Sequence, residues 1–582
     1  MTQASFPRKK WQHLSSRLPL YLFILLVVWF IFTFLLYPNF TILRDTFWVD
    51  GEFSLSAVEK ITNSSRAMSA IRNSVLLAFV LMVTVNIVGI FIVFATEYFD
   101  IKGANILRIG FMSTLVFGGM ILNNGYLYVY GGNGILTQAL TSVFPNLDPY
   151  WFSGFPAVVF VMTFACTSNH MLFLRNAVKG LDYSLIEAAR NLGSSPWEII
   201  RKIVIPTLKP VLITLIIMTF QVGLGALSAP VMVGGRDFQT ISPMILTFVQ
   251  RPASRDIAAL LSVILGLAQI VLLIVMTINE KRGNYLSISK TKTRIAKQKI
   301  ENPILNLLAH LVSYVLFLIY TLPLIFVVLF SFMDTQAIAQ SRLSWDAFTL
   351  EHYASILSNA RSYQPMVTSI LYAGIAAGIA VLFMMLVARL VMKHSKNKWI
   401  ESLEFAFYIP WLLPALMIAL GLILGYSAPN WLLFNQSVVG TVWVLPLAYL
   451  IMMLPMTLRY IKSAYYSFDT NLEYASQTLG ASSMRTFFQV LLPILLPTAL
   501  ALVALNFNSY LADYDLSAFL YHPQFPTLGV MIRSNVDATN IDAIAINMVY
   551  SVILIVIGGT IFYLIYGRGS KLAEINSGVV NK

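Results

Sequence analysis

Charge is what this 582-residue chain has least of. Asp, Glu, Lys and Arg together make up 11% of it, against about 25% in an ordinary soluble domain, and that deficit excludes a soluble globular protein. Cysteine is almost missing. The one thiol, Cys166, lies inside an apolar run, which excludes a disulfide framework and a cysteine metal site. No Gly-Lys dipeptide occurs, so the chain has no Walker A loop to cradle a nucleotide phosphate. Paired histidines or carboxylates at catalytic spacing are absent, which leaves a membrane enzyme without support. His170 and His522 lack ligand-like spacing, so neither reads as a metal site.

Apolar sequence takes the place of all this. Hydrophobic residues make up 58% of the chain and mean hydropathy is +0.74. The apolar runs are continuous and about 20 residues long, the length that crosses a bilayer as a helix, and they do not alternate as barrel strands do. Twelve spans are expected: 18–37, 74–95, 109–130, 156–174, 208–228, 257–278, 304–330, 367–392, 405–425, 437–458, 494–512 and 546–566. The run after the basic N-terminus, Leu18 to Tyr37, is too long for a signal h-region and has no small-residue cleavage site, so it is read as a retained first span.

The net charge of +13 does not point to nucleic acid, because the basic residues form no stripe with aromatics between them. They sit at the ends of apolar runs, as the positive-inside rule requires. Arg8, Lys9, Lys10 and Arg17 place the N-terminus in the cytoplasm. Alternate threading then puts the basic segment 280–302, the segment 392–398 and Arg568 and Lys571 on the same side. The stretch from Gly131 to His170 has no Lys or Arg and falls largely outside. Both termini are therefore expected inside. Residues 280–302 read as a cytoplasmic linker between two six-span halves, 1–279 and 303–582.

The halves repeat. A shift of 287 residues lays 181–210 on 468–497 without a gap. Asp182 then meets Asp469, Ala188 meets Ala475, Gly193 meets Gly480, Pro206 meets Pro493 and Pro210 meets Pro497. The segment is built as a helix, a sharp turn and a second helix. Leu185, Ala188 with Ala189, and Leu192 make a short apolar face. Asp182 or Ser184 caps its start, and Gly193 falls where a left-handed glycine ends a helix. Ser195, Pro196 and Glu198 signal the next helix start, whose apolar face is Trp197, Ile200 and Val204. A helix this short is not stable alone, and a lipid-surface helix would carry a larger apolar face and more basic residues. The patch is built to dock into something.

Glu187-Ala188-Ala189, then Gly193, then Pro206 thirteen residues later, lying between the fourth and fifth spans of a six-span unit, resembles the signature of bacterial ABC-importer permeases. The second copy keeps Ala475, Gly480 and Pro493. It departs at Tyr474, which stands where the Glu belongs, with Glu473 one place earlier, and it has Ser476 for the second Ala and Arg485 for the second capping Glu. The resemblance covers essentially the whole chain. It implies an all-α membrane protein with about twelve transmembrane helices, arranged as two tandem six-helix type I ABC permease domains, in the bacterial inner membrane. It implies coupling loops at 181–206 and 468–493, each seated in a groove of a separate ATP-binding subunit. The coupling residues would be Asp182, Glu187, Ala188, Ala189, Gly193, Pro206, Asp469, Glu473, Tyr474, Ala475, Gly480 and Pro493. Two ATPase copies would carry the ATP and Mg, the chain itself would hold no cofactor and have no enzymatic activity, and an extracytoplasmic binding protein would deliver the cargo. Two fused halves need no homodimer.

Fused permeases of this shape look like those of ferric iron importers, with "RNSVLLA" (72–78), "GGNGILT" (131–137) and "IPWLLPALMIALGL" (409–422) as secondary features. Thiamine, aminoalkylphosphonate and polyamine importers are the related alternatives. An ion-coupled secondary carrier is the rival class, but its usual charged motif between spans two and three is missing from "TEYFDIKGANILR" (96–108). Polar residues inside spans default to functional candidates. Asn508, Tyr510, Asp513, Tyr514 and Asp515 offer oxygens that suit a hard cation, and Asn123 and Asn124 form a second group. The competing readings are an interfacial position for the acids and interhelical hydrogen bonding for the amides. External segments 38–73 and 332–366 are polar enough to meet the binding protein.

Overall fold

Backbone polar groups in a bilayer must be satisfied within the chain, and the apolar runs accordingly fold as helices. The computed structural model describes residues 8–49, 51–116, 119–282, 297–340, 343–394, 397–466, 470–536 and 541–564. Among these, ten unbroken helices are long and apolar enough to cross a membrane. The two remaining expected spans, both third in their half, are broken. Residues 109–130 fall on a bent pair, Ala104–Thr114 and Gly119–Val143, and 405–425 fall on short helices that end in Ala415–Tyr426. The second break has a plain cause. Pro414 forces Leu413 into extended backbone, φ −113° and ψ 142°, because a residue before proline is driven out of the α region.

Packing does not follow the repeat boundary. The chain forms two compact units, one of Met1–Phe53 with Tyr372–Phe507 and the other of Ser54–Leu371 with Asn508–Lys582. In the first unit, the first span (Leu20–Phe47) lies against Ala415–Tyr426 of the second half. Tyr426 donates its hydroxyl to the Thr33 carbonyl, and the Asn430 amide donates to the Tyr37 hydroxyl at 2.9 Å. In the second unit, Pro303–Phe330, the opening span of the second half, lies against the third span of the first half. Phe111 meets Tyr320 edge-on at 5.2 Å, and Tyr320 is hydrogen-bonded to Thr167 at 2.6 Å. Each opening span is thus exchanged onto the third span of the other half.

Both exchanges seat a proline on a glycine. A Cβ at Gly421 would sit 3.0 Å from the Pro38 Cβ and 3.1 Å from its backbone, and one at Gly125 would sit 3.1 Å from the Pro323 Cβ. Small residues let membrane helices approach this closely. Gly421→Leu is expected to force the first span off its seat, at a cost of about 3 kcal/mol or more from overpacking. Gly559→Leu, with nothing among the described residues within 4 Å of its Cβ position, is expected to be tolerated. Thermal unfolding of the purified chain in detergent compares the two.

One contact repeats almost to the ångström within the second unit. Ser74 Oγ accepts the Ile241 amide at 2.8 Å, and Ser369 Oγ accepts the Leu528 amide at 2.8 Å. Ile241 and Leu528 are 287 residues apart and each opens a short helix, Ile241–Val249 and Leu528–Val536. The serines satisfy amides that a helix start leaves orphaned, and they fix the segments that follow spans five and eleven.

Candidate functional site

The repeated loop segments fold as their residues dictate. In the second unit, Asp182 caps the first loop helix, Tyr183–Asn191, with its carboxylate accepting the Ser184 amide at 3.0 Å. Gly193 then turns the chain at φ +85°. The Ser194 amide donates back to the Ala189 carbonyl at 3.0 Å and the Gly193 amide to Arg190 at 2.9 Å, the paired bonds of a Schellman end. Ser195 and Glu198 close the expected capping box around Pro196. In the first unit, the second loop helix, Thr470–Thr478, ends the same way. Gly480 has φ +86° and the Ala481 amide donates to the Ser476 carbonyl at 3.1 Å. Ser482 accepts the Arg485 amide at 3.3 Å, but Arg485 turns away to Gln489, so the box stays half made. Asp469 lies outside the described residues.

A π-helical turn follows in both copies, at Ile200–Val204 and Phe487–Leu491, again 287 residues apart. Its cause is the proline beyond it. Pro206 and Pro493 have no amide to give the carbonyl four residues back, and their rings crowd it. The ladder slips by one, so the Ile205 amide reaches the Ile200 carbonyl and Leu492 reaches Phe487.

What the loops present is the telling feature. Leu192 is 87% exposed and its repeat partner Leu479 is 89% exposed. Each precedes the left-handed glycine, at the tip of the turn. Leu185 and Leu472 are also exposed, as are Trp197 and Tyr474. Glu187, Ala188 and Ala475 share the open side. The expected apolar face therefore points away from the protein, and the inward residue of the first loop helix is Ile186, 1% exposed. Glu473 points inward, 3.5 Å from Arg389, so it does not take the outward place that Glu187 holds in the first copy; Tyr474 does. Pro206 and Pro493 lie at the exits of the two turns.

The first loop is also tied down by residues that the motif does not include. Glu97 ends the second span with a nearly buried carboxylate, which accepts Arg175 Nε at 2.8 Å and lies 3.8 Å from Arg108 and 3.7 Å from Lys179. Gln298, in the last stretch of the linker, bridges the backbone of Tyr98 and Asp100 and accepts Arg190 of the loop helix through its side chain. Neither group has a hydrophobic pattern that would have exposed it in the sequence. Residues 283–296 of the basic linker lie outside the described residues.

The oxygen-rich stretch after span eleven is more dispersed than a ligand set. Asp513 Oδ2 accepts the amides of Leu516 and Ser517, both at 3.1 Å, and so caps the turn Ser517–Leu520. Asn508 and Tyr510 are half-buried, Tyr514 is buried and Asp515 is exposed. Asn124 donates to Ser551 at 3.3 Å across to the last span, the interhelical bond that a buried amide in a membrane seeks. Asn123 Nδ2 is buried and has no partner among the described residues. Among the described residues no three of His, Cys, Asp or Glu gather where they could hold a metal ion. His170 is buried in the fourth span, with Nε2 at 3.1 Å from Asn86 Oδ1.

Comparison with known proteins agrees with this arrangement. The family described as "Binding-protein-dependent transport system inner membrane component" matches residues 14–282 and 386–571. A protein named as an ABC transporter permease, y4fN of Sinorhizobium fredii, is 36% identical over 530 residues, covering 90% of this chain and 92% of that one. The ferric transport system permease protein FbpB of Actinobacillus pleuropneumoniae is 23% identical, covering 85% of this chain and 71% of its own length. A protein named for 2-aminoethylphosphonate transport, PhnV of Salmonella typhimurium, is 26% identical over 38% of this chain and 84% of that one. With a repeated helix–turn–helix loop on an all-helical, multi-pass scaffold, the chain belongs to the binding-protein-dependent transport system inner membrane components and is an ABC transporter permease with two permease domains in tandem.

Proposed function

We propose that this chain is the membrane path of an ATP-driven importer for ferric iron, and that its two loop helices are the coupling helices. The observation that carries the coupling reading is the pair of outward leucines, Leu192 and Leu479, held at the tips of turns fixed by Gly193 and Gly480. With Leu185 and Trp197 exposed on the same loop, and Leu472 and Tyr474 on the other, each tip belongs to a group of exposed apolar residues, the kind of surface that marks an interaction site. Two such tips on one chain call for two copies of an ATP-binding subunit. ATP and Mg belong to that subunit, because this chain has no phosphate-binding loop. Nucleotide state then biases an inward/outward equilibrium through the groove contacts, and cargo biases it back. Asp182, Glu187, Ala188, Ala189, Gly193 and Pro206 serve the first contact, and Tyr474, Ala475, Gly480 and Pro493 the second. Both termini lie in the cytoplasm, with the extracytoplasmic binding protein on the other face.

Ferric iron as cargo is supported by the ferric-named relative, which aligns with both halves. The phosphonate-named relative aligns with little more than one third of this chain. Cargo passes through and is not stored, which accords with scattered oxygen donors and not a cage: Asn123, Asn124, Asn508, Tyr510, Asp513, Tyr514 and Asp515 are the path candidates. Uptake into liposomes by this chain, its ATP-binding subunit and its binding protein tests the proposal, with Fe(III) assayed beside thiamine, 2-aminoethylphosphonate and a polyamine. ATP-dependent uptake of Fe(III) alone is expected. Uptake of another of these instead replaces the cargo, and uptake without the ATPase on an ion gradient overturns the coupling.

A further inference from the structure

The two loop helices are outwardly alike but inwardly different. In the first, the residues packed inward are apolar, and Arg190 near the end of the helix is hydrogen-bonded to Gln298. Ile186 is buried, Ala189 is half-buried, and Ile199, on the short helix that packs against this one, is buried too. Moving each by 287 gives Glu473, Ser476 and Thr486. There Glu473 lies 3.5 Å from Arg389 of the eighth span, with side chains only 27% and 17% exposed. Arg389 also lies over the Phe487 ring at 4.8 Å, and Ser476 is hydrogen-bonded to the buried Thr486 at 3.0 Å.

We propose that Glu473 is a positioning residue: it seats the second loop helix on its own unit through Arg389, and takes no part in gripping the ATP-binding subunit. The proposal rests on the coupling reading above. Its physical basis is the register of a helix. One residue is 100° of rotation, so a glutamate displaced from the Glu187 position to the one before it turns from the outward face to the inward one. There it faces a cation in place of water. An apolar seat holds by excluding water and has no preferred direction. An ion pair is directional, and neutralising either member removes the attraction that holds the helix in that orientation. The two loop helices are therefore seated differently, the first on apolar packing with the Arg190–Gln298 bond at its end and the second on an ion pair at its inward face.

Spin labels report the seats directly. In a Cys166→Ser background reconstituted in liposomes, Ala475→Cys and Ala188→Cys place a nitroxide on each loop helix. Glu473→Gln and Arg389→Gln are each expected to raise the mobile fraction at position 475 several-fold and leave position 188 unchanged. The charge swap, Glu473→Arg with Arg389→Glu, is expected to restore the order at 475, which separates a lost seat from a misfolded chain. With the ATP-binding subunit bound, import per ATP hydrolysed should fall roughly five- to tenfold in the single variants, while the affinity for that subunit stays as in wild type. Unchanged mobility at 475, or a swap that leaves the label mobile, overturns the ion-pair seat. So does a loss of subunit affinity in Glu473→Gln equal to that in Glu187→Gln. Failure of the coupling reading looks different: Leu192→Asp and Leu479→Asp would then leave ATPase stimulation intact.

Discussion

Leu479→Asp is expected to abolish ATP-driven import while leaving the fold untouched, and Leu192→Asp to do the same from the other loop. The side chains are 89% and 87% exposed, so the free protein has almost nothing to lose by the change, and thermal unfolding should shift by no more than about 0.5 kcal/mol. Bound in a groove, a fully buried leucine contributes about 2 kcal/mol. Its removal weakens the complex about thirtyfold, and a buried carboxylate in its place costs more still. The ATP-binding subunit should consequently elute apart from either variant, and its hydrolysis should no longer respond to cargo-loaded binding protein. Leu→Met at the same positions preserves volume and apolarity and is expected to retain most of the activity. Import and ATPase stimulation that survive both aspartates would remove the leucine tips from the coupling contact.

Much of this architecture could be read from residue order alone, because its signals are local. The glycine at 193, the serine–proline–glutamate start at 195–198 and the prolines at 206 and 493 each dictate a conformation within a few residues of themselves. The 287-residue shift then doubles the weight of each. The exchanged opening spans were not legible. Pro38 on Gly421 and Pro323 on Gly125 are contacts across hundreds of residues between surfaces as apolar as the lipid around them, and hydropathy cannot choose among such partners. Twelve apolar runs were visible, but the breaks in the third span of each half were not, although Pro414 after two leucines could have marked the second. Glu473 shows how far a pattern can mislead by one place. In the sequence it stands beside the missing motif glutamate; on the helix it faces the other way. Among the path candidates, Asn124 makes the interhelical bond that its residue type allowed, and Asp513 caps a turn, a local role that residue type alone does not announce.

Glu97→Leu is the substitution expected to damage the chain most from a single site. The carboxylate is 7% exposed and stands among three cations from the third and fourth spans, with Arg175 Nε directly hydrogen-bonded at 2.8 Å. Arg108 and Lys179 are farther away and reach solvent, with side chains 31% and 47% exposed, so water screens them and their loss of a partner costs little. Arg175, 20% exposed, has no such relief. Removing one member of a largely buried pair typically costs about 3–5 kcal/mol, because the other charge stays behind unpaired. Glu97→Gln keeps an acceptor for Arg175 and should lose less, while Glu97→Leu with Arg175→Leu removes both charges and should recover much of the stability. That non-additivity, measured as a double-mutant cycle on thermal unfolding in detergent, isolates the pair. The effect should also reach transport, since Arg175 and Lys179 lead straight into Asp182 and the first loop helix. With the carboxylate gone, the ends of spans two, three and four lose the charge shared between them, and the first loop helix, which begins four residues beyond Lys179, loses its brace. A Glu97→Leu chain as stable and as active as wild type would show that the cluster is solvated charge and that the loop is braced elsewhere.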